Sequence, residues 1–522
     1  MKLQKISLAD TNAFTPFFLD YIQQNHRLTK FYNRFPEIRN FKDQIKEKST
    51  SFSQQNRDVL VGSIQEQYKN YTISEAVKNN IALLSDKKTF TITTGHQLNI
   101  FTGPLYFLYK IVTVINTCKK LKEVYPEYNF VPVYWMASED HDFDEIKYFQ
   151  LQGKKYVWET SQKGAVGRFN PKELTSLIQE IPGDLSLFKE AYLKHATLSN
   201  AVRYYVNELF GKEGLVVLDA DSKALKQLFR EVIQDDVFNQ VPKKLIEKTD
   251  QELEQLGYTP QLFCRDVNFF YLDNGLRERI EKTGDRYSIA NSDISFSSSE
   301  INTLIENSPE KFSPNVILRP LYQEVILPNL AYVGGPAEVV YWLQLKEVFK
   351  QYNTPFPVLM PRNFAMVLDG PTQRKFEKTG LELGELFYEK NYLFNHFTIK
   401  FSRHKIQLNG EKEAIEKYFQ TIREHAEALD KTLGPLVGAE KQRAVKSLEK
   451  IEQKLLKAEK RTQSDKLKQV EAVKDALFPN GGLQERTDNF LNFYLQDQKF
   501  VEKLITYFDP FDFRFNVLQY HD

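Results

Sequence analysis

The sequence predicts an α/β protein: an open sheet of parallel strands with helices on its faces, interrupted by insertions and followed by an antiparallel helical hairpin. Three observations carry this reading. A β-branched strand, Thr89-Phe90-Thr91-Ile92-Thr93-Thr94, stops at Gly95-His96-Gln97 and leads into a segment opened by Gly103-Pro104. A second strand, running from Phe130 to Ala137, is almost wholly apolar, as suits a parallel strand covered on both faces. A Glu/Lys-rich stretch near the carboxyl end repeats apolar residues at alternating steps of three and four.

Taken in order, residues 1–80 mix Asn, Gln, Lys and aromatics at irregular helical spacing and read as helices packed on the core. Residues 81–145 are the first part of the core. Leu105, Leu108, Val112 and Ile115 fall at helical spacing, which predicts an amphipathic helix over 104–121, with Pro at its first turn. Its unpaired amides and positive dipole end would face the Gly-His loop and stabilise a phosphate or carboxylate there.

Past the second strand the charges begin, at Ser138-Glu139-Asp140-His141-Asp142-Phe143-Asp144-Glu145. Ligands of open α/β sheets bind outside the carboxyl ends of the strands, so this turn should lie beside Gly95-His96. Acids and an imidazole together could bind a metal, hold an ammonium or relay a proton. The same acids, Asp142 and Asp144 above all, could simply cap a helix.

Residues 146–210 read as a connecting insertion, with a hairpin turning at Gly153-Lys154 and Arg168 as a carboxylate clamp or a solvated surface residue. The core returns over 211–240, where an apolar strand ends in Asp219 and Asp221. Short strands and Gly, Asn, Asp and Ser turns make 241–312 a second, α+β insertion. Residues 313–410 complete the core. Gly334-Gly335-Pro336 repeats the Gly-Pro helix start, and Arg319 and Arg362 flank it as cations able to pair with carboxylate or phosphate.

Over 411–478, Ile415, Phe419, Ile422, Ala426, Leu429 and Leu433 form one seam and Val445, Leu448, Ile451, Leu455 and Ala458 another, broken by Gly434-Pro435 and Gly438. The simplest fold is a coiled-coil hairpin whose stripe serves a symmetric homodimer. Residues 479–522 carry an aromatic tail that returns to the core.

The 70 Lys and Arg nearly cancel 69 Asp and Glu, so no overall basic field draws nucleic acid or an anionic membrane. The start of the chain lacks an apolar signal region, and no apolar run is long enough to span a bilayer; a cytoplasmic protein is expected. Cys118 and Cys264 form no paired motif and are expected to be buried thiols.

Thr94-Gly95-His96-Gln97, Phe101-Thr102-Gly103-Pro104-Leu105-Tyr106, Ala137-Ser138-Glu139-Asp140-His141-Asp142-Phe143, Leu318-Arg319-Pro320-Leu321-Tyr322-Gln323-Glu324, Tyr332-Val333-Gly334-Gly335-Pro336 and Leu483-Gln484-Glu485-Arg486 occur in one order along the chain. Together they resemble the bacillithiol biosynthesis cysteine-adding enzymes over the whole length. The resemblance implies a Rossmann-like core akin to class I aminoacyl-tRNA synthetases, with connecting-peptide insertions and a coiled coil used in dimerisation. It also implies a ligase joining L-cysteine to the amine of glucosaminyl-malate.

Such chemistry asks for activation of the cysteine carboxylate, for which ATP with Mg is the hypothesis. No nucleotide motif stands in the sequence, no resident metal site is expected, and no cysteine pair offers zinc a home. His141, Asp140 and His96 are the expected catalytic residues, His141 accepting a proton from the attacking amine. Gly95, Gln97, Asn99, Thr102, Gly103, Glu139, Asp142, Arg319, Tyr322, Gln323, Gly334, Gly335 and Glu338 are the expected substrate contacts. The competing reading is a non-catalytic nucleotide- or metabolite-binding protein with a coiled-coil assembly arm; transfer-RNA aminoacylation is disfavoured by the neutral charge.

Overall fold

A computed structural model describes residues 1–520. Its centre is a five-stranded sheet in the spatial order Val358–Pro361, Asn329–Gly334, Thr89–His96, Asn129–Met136, Val216–Asp219, every neighbouring pair parallel. Counted along the chain this order is 5-4-1-2-3. The winding direction therefore reverses between Thr89–His96 and Asn329–Gly334, and the carboxyl ends of those strands flank a crevice of the kind in which open α/β sheets bind ligands.

Thr89–His96 pairs with Asn129–Met136 along its whole length, from Thr89 opposite Asn129 to His96 opposite Met136. Gly95 and His96 thus extend the strand that they were expected to end. Parallel neighbours need a crossover, and the helix Tyr106–Val124 supplies it, packing on both strands. It starts two residues past Pro104 because Pro104 is bridged to Asn489 of the C-terminal segment. Phe90, Ile92, Phe130, Leu330 and Val333 of the sheet share a buried core with Val114 and Cys118 of that helix and with Phe41 and Ile45 of the helix Phe41–Ser51.

The residues before the sheet are not helical throughout. Lys2–Ile6 is a strand, antiparallel to Phe515–Gln519, which itself runs parallel to Phe364–Leu368. In the first insertion, Tyr148–Leu151 and Lys154–Val157 form the expected hairpin. Its reversal falls at Gln152-Gly153, one residue earlier than Gly153-Lys154, because both residues take the positive φ (51° and 76°) that a two-residue turn matched to strand twist requires. The second insertion holds an antiparallel five-stranded sheet, in the order Ser295–Ser297, Arg286–Ile289, Leu276–Thr283, Phe269–Asp273, Phe312–Pro314.

The helical hairpin consists of Asn409–Leu429 packed against Gly434–Thr462, tied near its base by Lys412 to Glu452 at 2.7 Å. The chain reverses over 430–433, where Asp430 leaves helical geometry and accepts the Thr432 N–H at 2.8 Å. Gly434-Pro435 opens the second helix and Gly438 lies within it, so neither breaks the seam. Gly434 is the one buried residue of the pair; Ile422, Leu429, Leu436 and Ile451 face solvent. The following helix, Ser464–Leu477, returns to pack on Gly370–Thr379 and Lys390–Lys400. Among the described residues no helix is long and apolar enough to cross a membrane.

Candidate active site

The acidic turn forms where Asn129–Met136 ends, and backbone contacts fix it. Ala137 N–H donates to the His96 carbonyl (3.0 Å), Val166 N–H to the Asp140 carbonyl (2.7 Å) and Gly167 N–H to the Ser138 carbonyl (2.8 Å). A Cβ on Gly167 would lie 2.6 Å from that Ser138 oxygen, so only glycine lets the first insertion approach so closely. Gln97, just past the strand, then joins this turn. Its amide donates to Asp140 (3.2 Å) and to Glu145 (2.7 Å), so Gln97 and the His141 turn are walls of one cavity, which Gly95 and His96 do not line.

That cavity, of about 410 Å³, opens at the carboxyl end of the sheet under the second insertion. Trp135, Met136 and Phe270 supply apolar wall, Glu139, Asp140 and Asp142 the acids, and Arg265, Arg277 and Arg319 the cations. Asp142 makes no capping hydrogen bond to the short helix Phe143–Ile146, so helix capping does not account for it. Glu139 pairs with Lys226, a wholly buried lysine that also donates to the Phe312 carbonyl at 2.7 Å. Burial holds the Glu139 carboxyl above its ordinary value, and Lys226 offsets only part of that rise. Burial likewise raises Asp140, but Arg277, Gln97 and Arg319 outweigh it and hold the carboxyl below its ordinary value.

Arg277 changes the part His141 can play. Its NH1 lies 2.5 Å from His141 Nδ1 and 3.4 Å from Asp140, while Nε donates to Ser313 (3.1 Å) and the guanidinium covers the Phe270 ring at 4.0 Å. A guanidinium only donates, so Nδ1 must accept and the neutral imidazole carries its proton on Nε2. With its free lone pair taken, His141 presents a donor here, which corrects its expected role as base. The same cation argues against a metal at Asp140, His141 and Asp142, whose ligand atoms lie within 4.8 Å of one another. A divalent ion bound there would have to displace a guanidinium already 7 % exposed and paired, so magnesium does not fit at Asp140 and His141.

Arg319 differs from the other cations. It donates to the Tyr341 hydroxyl at 3.2 Å, and among the described residues no carboxylate pairs with it. It is the open anion site of the cavity.

Several expected contacts are engaged elsewhere. Glu338 accepts from Lys110 (2.5 Å), the Tyr332 hydroxyl (2.5 Å) and Gly335 N–H (2.8 Å); although burial opposes it, Lys110 brings its pKa to about 2. Glu338 is thus not free to orient an amine, and the Gly335 amide is capped rather than open to an anion. The Gly334 carbonyl accepts Arg362 N–H, and that of Gly95 accepts Lys110. The helix start at Gly103-Pro104 is likewise occupied, with Leu105 N–H on the Asp488 carbonyl (2.8 Å) and Phe107 N–H on that of Pro104 (3.0 Å). Neither glycine-proline turn offers the anion cradle that its sequence suggests.

His96 lies between the rings of Tyr106 and Phe107, and Nδ1 meets the Gln97 carbonyl at 2.8 Å. Burial, with Lys110 beside it, drives its pKa down to about 3, so it is neutral and lines neither the cavity nor its neighbour. Tyr322 is buried and donates to the Ala220 carbonyl at 2.9 Å. Gln323 is buried too, beside Glu324, which takes Lys48 (3.1 Å) and Asn329 (2.6 Å) in a core network. Thr102 is buried, Gly103 is bound through its carbonyl to Asn489 (2.6 Å), and Asn99 donates to the Glu145 carbonyl (3.2 Å) at the edge of a second cavity. Arg362 holds Glu485 with two hydrogen bonds (3.0 and 2.5 Å), and Arg168 holds Asp221 at 2.8 Å, so neither is a free clamp. Ser138 donates to Asp219 at 2.5 Å, which ties the end of the third strand to the acidic turn.

Sequence reasoning missed Arg277, Lys226 and Lys110. Strand alternation puts Arg277 on the same face as Arg279 and Glu281, and nothing in the pattern marks which one the insertion lays on the core. Both cysteines are buried, as expected; burial carries the Cys264 thiol up to about 12.

Comparison with known proteins agrees with this architecture. Residues 1–363 match the N-terminal Rossmann-like domain of bacillithiol biosynthesis BshC, and residues 365–520 its C-terminal coiled-coil domain. The chain is similar to a protein of Flavobacterium psychrophilum named "Putative cysteine ligase BshC", with 43 % identity over 99 % of both chains. A protein of the same name from Flavobacterium johnsoniae is also 43 % identical, over 98 % of this chain and 99 % of its own. A third, from Christiangramia forsetii, is 42 % identical over 99 % and 98 %. A Rossmann-like core with its two insertions, followed by a coiled-coil hairpin and matched end to end, places the chain in the BshC family of bacillithiol biosynthesis.

Proposed function

We propose that this protein is a carbon–nitrogen ligase that joins the carboxyl group of L-cysteine to the amine of glucosaminyl-malate. The observation that carries the reading is a single cavity holding both an unpaired Arg319 and the acids of the 139–142 turn, beside the apolar wall of Trp135, Met136 and Phe270. Those features complement a zwitterion with a soft side chain: Arg319 meets the carboxylate, an acid the ammonium, and the aromatic wall the thiol.

Amide formation needs the carboxylate oxygen to become a leaving group, and ATP is the proposed co-substrate that makes it one. Arg319 and the nearby Arg265 are the cations suited to its phosphoryl charge. The amine nitrogen then forms the C–N bond as the activated oxygen departs with its phosphoryl or nucleotidyl group, and the proton that the nitrogen loses passes to solvent. In this geometry His141 contributes the Nε2 proton as a hydrogen bond, and Arg277 fixes that ring. No step is routed through a protein-bound magnesium, because Arg277 stands in the acidic turn. The competing sensor-like reading shares the pocket and differs in turnover. Purified protein incubated with cysteine and glucosaminyl-malate, with and without ATP and magnesium, is expected to yield the amide by mass spectrometry only when ATP is present. No product in any mixture sinks the ligase reading; product without ATP sinks the activation step.

The reading places the enzyme in the cytoplasm, acting on small molecules and not on nucleic acid, as a homodimer assembled through the hairpin. Its support is the solvent-facing apolar stripe of Ile422, Leu429, Leu436 and Ile451.

A further inference from the structure

We infer that a second cavity, which shares Gln97 with the first, binds the acceptor substrate, and that Arg486 of the C-terminal segment recognises the acceptor's carboxylates. The inference rests on the ligase reading above and assigns its second substrate a place. The cavity, of about 370 Å³, lies between the loop that follows the first core strand and residues 480–487.

Arg486 is exposed, and among the described residues it has neither an ion pair nor a side-chain hydrogen bond, although it ends a turn that is otherwise fully engaged. Gln484 reads both backbone groups of Val367, accepting its N–H at 2.8 Å and donating to its carbonyl at 3.1 Å. Glu485 takes the buried Arg362 and the Ala365 N–H at 3.0 Å. The two preceding side chains thus lock the backbone, and the third is left facing the cavity with five donors unused. A guanidinium on a fixed backbone favours a planar anion that can take two parallel hydrogen bonds, which a carboxylate does.

The remaining wall calls for hydroxyl groups on the same ligand. Tyr106 brings a hydroxyl with no hydrogen-bond partner among the described residues, kept protonated because burial raises its pKa. Glu145 brings an acceptor and Asn480 an amide, and Tyr148 adds an aromatic surface. One free cation and one carboxylate, Glu145, among neutral donors and acceptors fit a polyhydroxy amine carrying carboxylates. They fit a small apolar metabolite poorly.

Gln97 is then the partition between the two substrates. Its amide bridges Asp140 of the first cavity and Glu145 of the second, so an amine held beside it faces the first cavity. Cysteine and acceptor occupy separate cavities, and the acceptor's cavity is built jointly by the Rossmann-like and coiled-coil domains.

Calorimetric titration of the full chain with glucosaminyl-malate tests this directly. Arg486→Ala should weaken binding roughly ten- to a hundredfold, the loss of hydrogen bonds to a charged group, with Arg486→Lys recovering part of it. The KM for the acceptor should rise and that for cysteine should stay. Methyl glucosaminide, which lacks the carboxylates, should bind both proteins alike. Equal binding of glucosaminyl-malate by wild type and Arg486→Ala, or equal weakening for both ligands, overturns the inference. Because Arg486 holds no ion pair or side-chain hydrogen bond among the described residues, the variant is expected to melt with the wild type. Amide synthesis by a protein indifferent to Arg486 removes this site and spares the ligase. Arg486-dependent binding without any synthesis removes the ligase and spares the site.

Discussion

At His141 a guanidinium sits where a proton would otherwise be accepted, with Arg277 NH1 2.5 Å from Nδ1. One consequence follows for the ring. The neutral form is locked as the Nε2–H tautomer. Replacing Arg277 with Met removes the donor that faces Nδ1, so the tautomer is no longer held. Long-range proton–nitrogen spectra of histidine-labelled protein, assigned with His141→Asn, should show an unprotonated Nδ1 in the wild type and a mixture of the two tautomers in Arg277→Met. A wild-type ring carrying its proton on Nδ1 would falsify the lock. The acids and the histidine of this turn were legible in sequence because five acids crowd around one imidazole between Glu139 and Glu145. Arg277 was not, since its partners lie 136 and 137 residues away, in the turn that follows a strand of the central sheet.

Among the elements, the loop between the first core strand and its crossover helix is the least relaxed. Phe101, Thr102 and Gly103 take φ of 50°, 71° and 62° in succession, a conformation costly for the two that carry a side chain. Asn489, wholly buried, holds it by donating to the Phe101 carbonyl (2.7 Å) and the Gly103 carbonyl (2.6 Å). Asn489→Ala leaves both acceptors buried without a donor, at about 2–4 kcal/mol for the pair. Thermal melting should drop by several degrees, and an unchanged melting point would show that the loop holds itself. The Gly-Pro signal in the sequence did place a turn here, but not its strain, which depends on a segment some 390 residues later. In the hairpin the seam was legible because helical periodicity is local. The break was misread because glycine inside a helix costs only about 1 kcal/mol, so Gly438 is carried through while Asp430 caps the reversal.

Over the whole molecule, the hairpin projects an apolar stripe that none of the described residues covers. Leu429 is 87 % exposed and Leu436 59 %. If a second copy covers the stripe, Leu429→Glu with Leu436→Glu should halve the mass measured by light scattering and leave the melting of the core unmoved. A wild-type protein that is already monomeric at micromolar concentration removes the dimer. The sheet itself was legible as parallel from its continuous apolar runs. Its 5-4-1-2-3 order was not, nor was the docking of the C-terminal segment through Arg362 and Glu485, because patterning says which face is buried and never which distant strand or loop lies beside it.

The pairing of Lys2–Ile6 with Phe515–Gln519 sets a schedule for biosynthesis. Lys2–Ile6 has no partner until residues 515–519 have been translated, because among the described residues its one sheet neighbour is that strand. The Rossmann-like core can condense while translation continues, but the small three-stranded sheet closes only afterwards. Nascent chains stalled anywhere in the hairpin should therefore expose their amino-terminal residues to protease, and full-length chains should protect them.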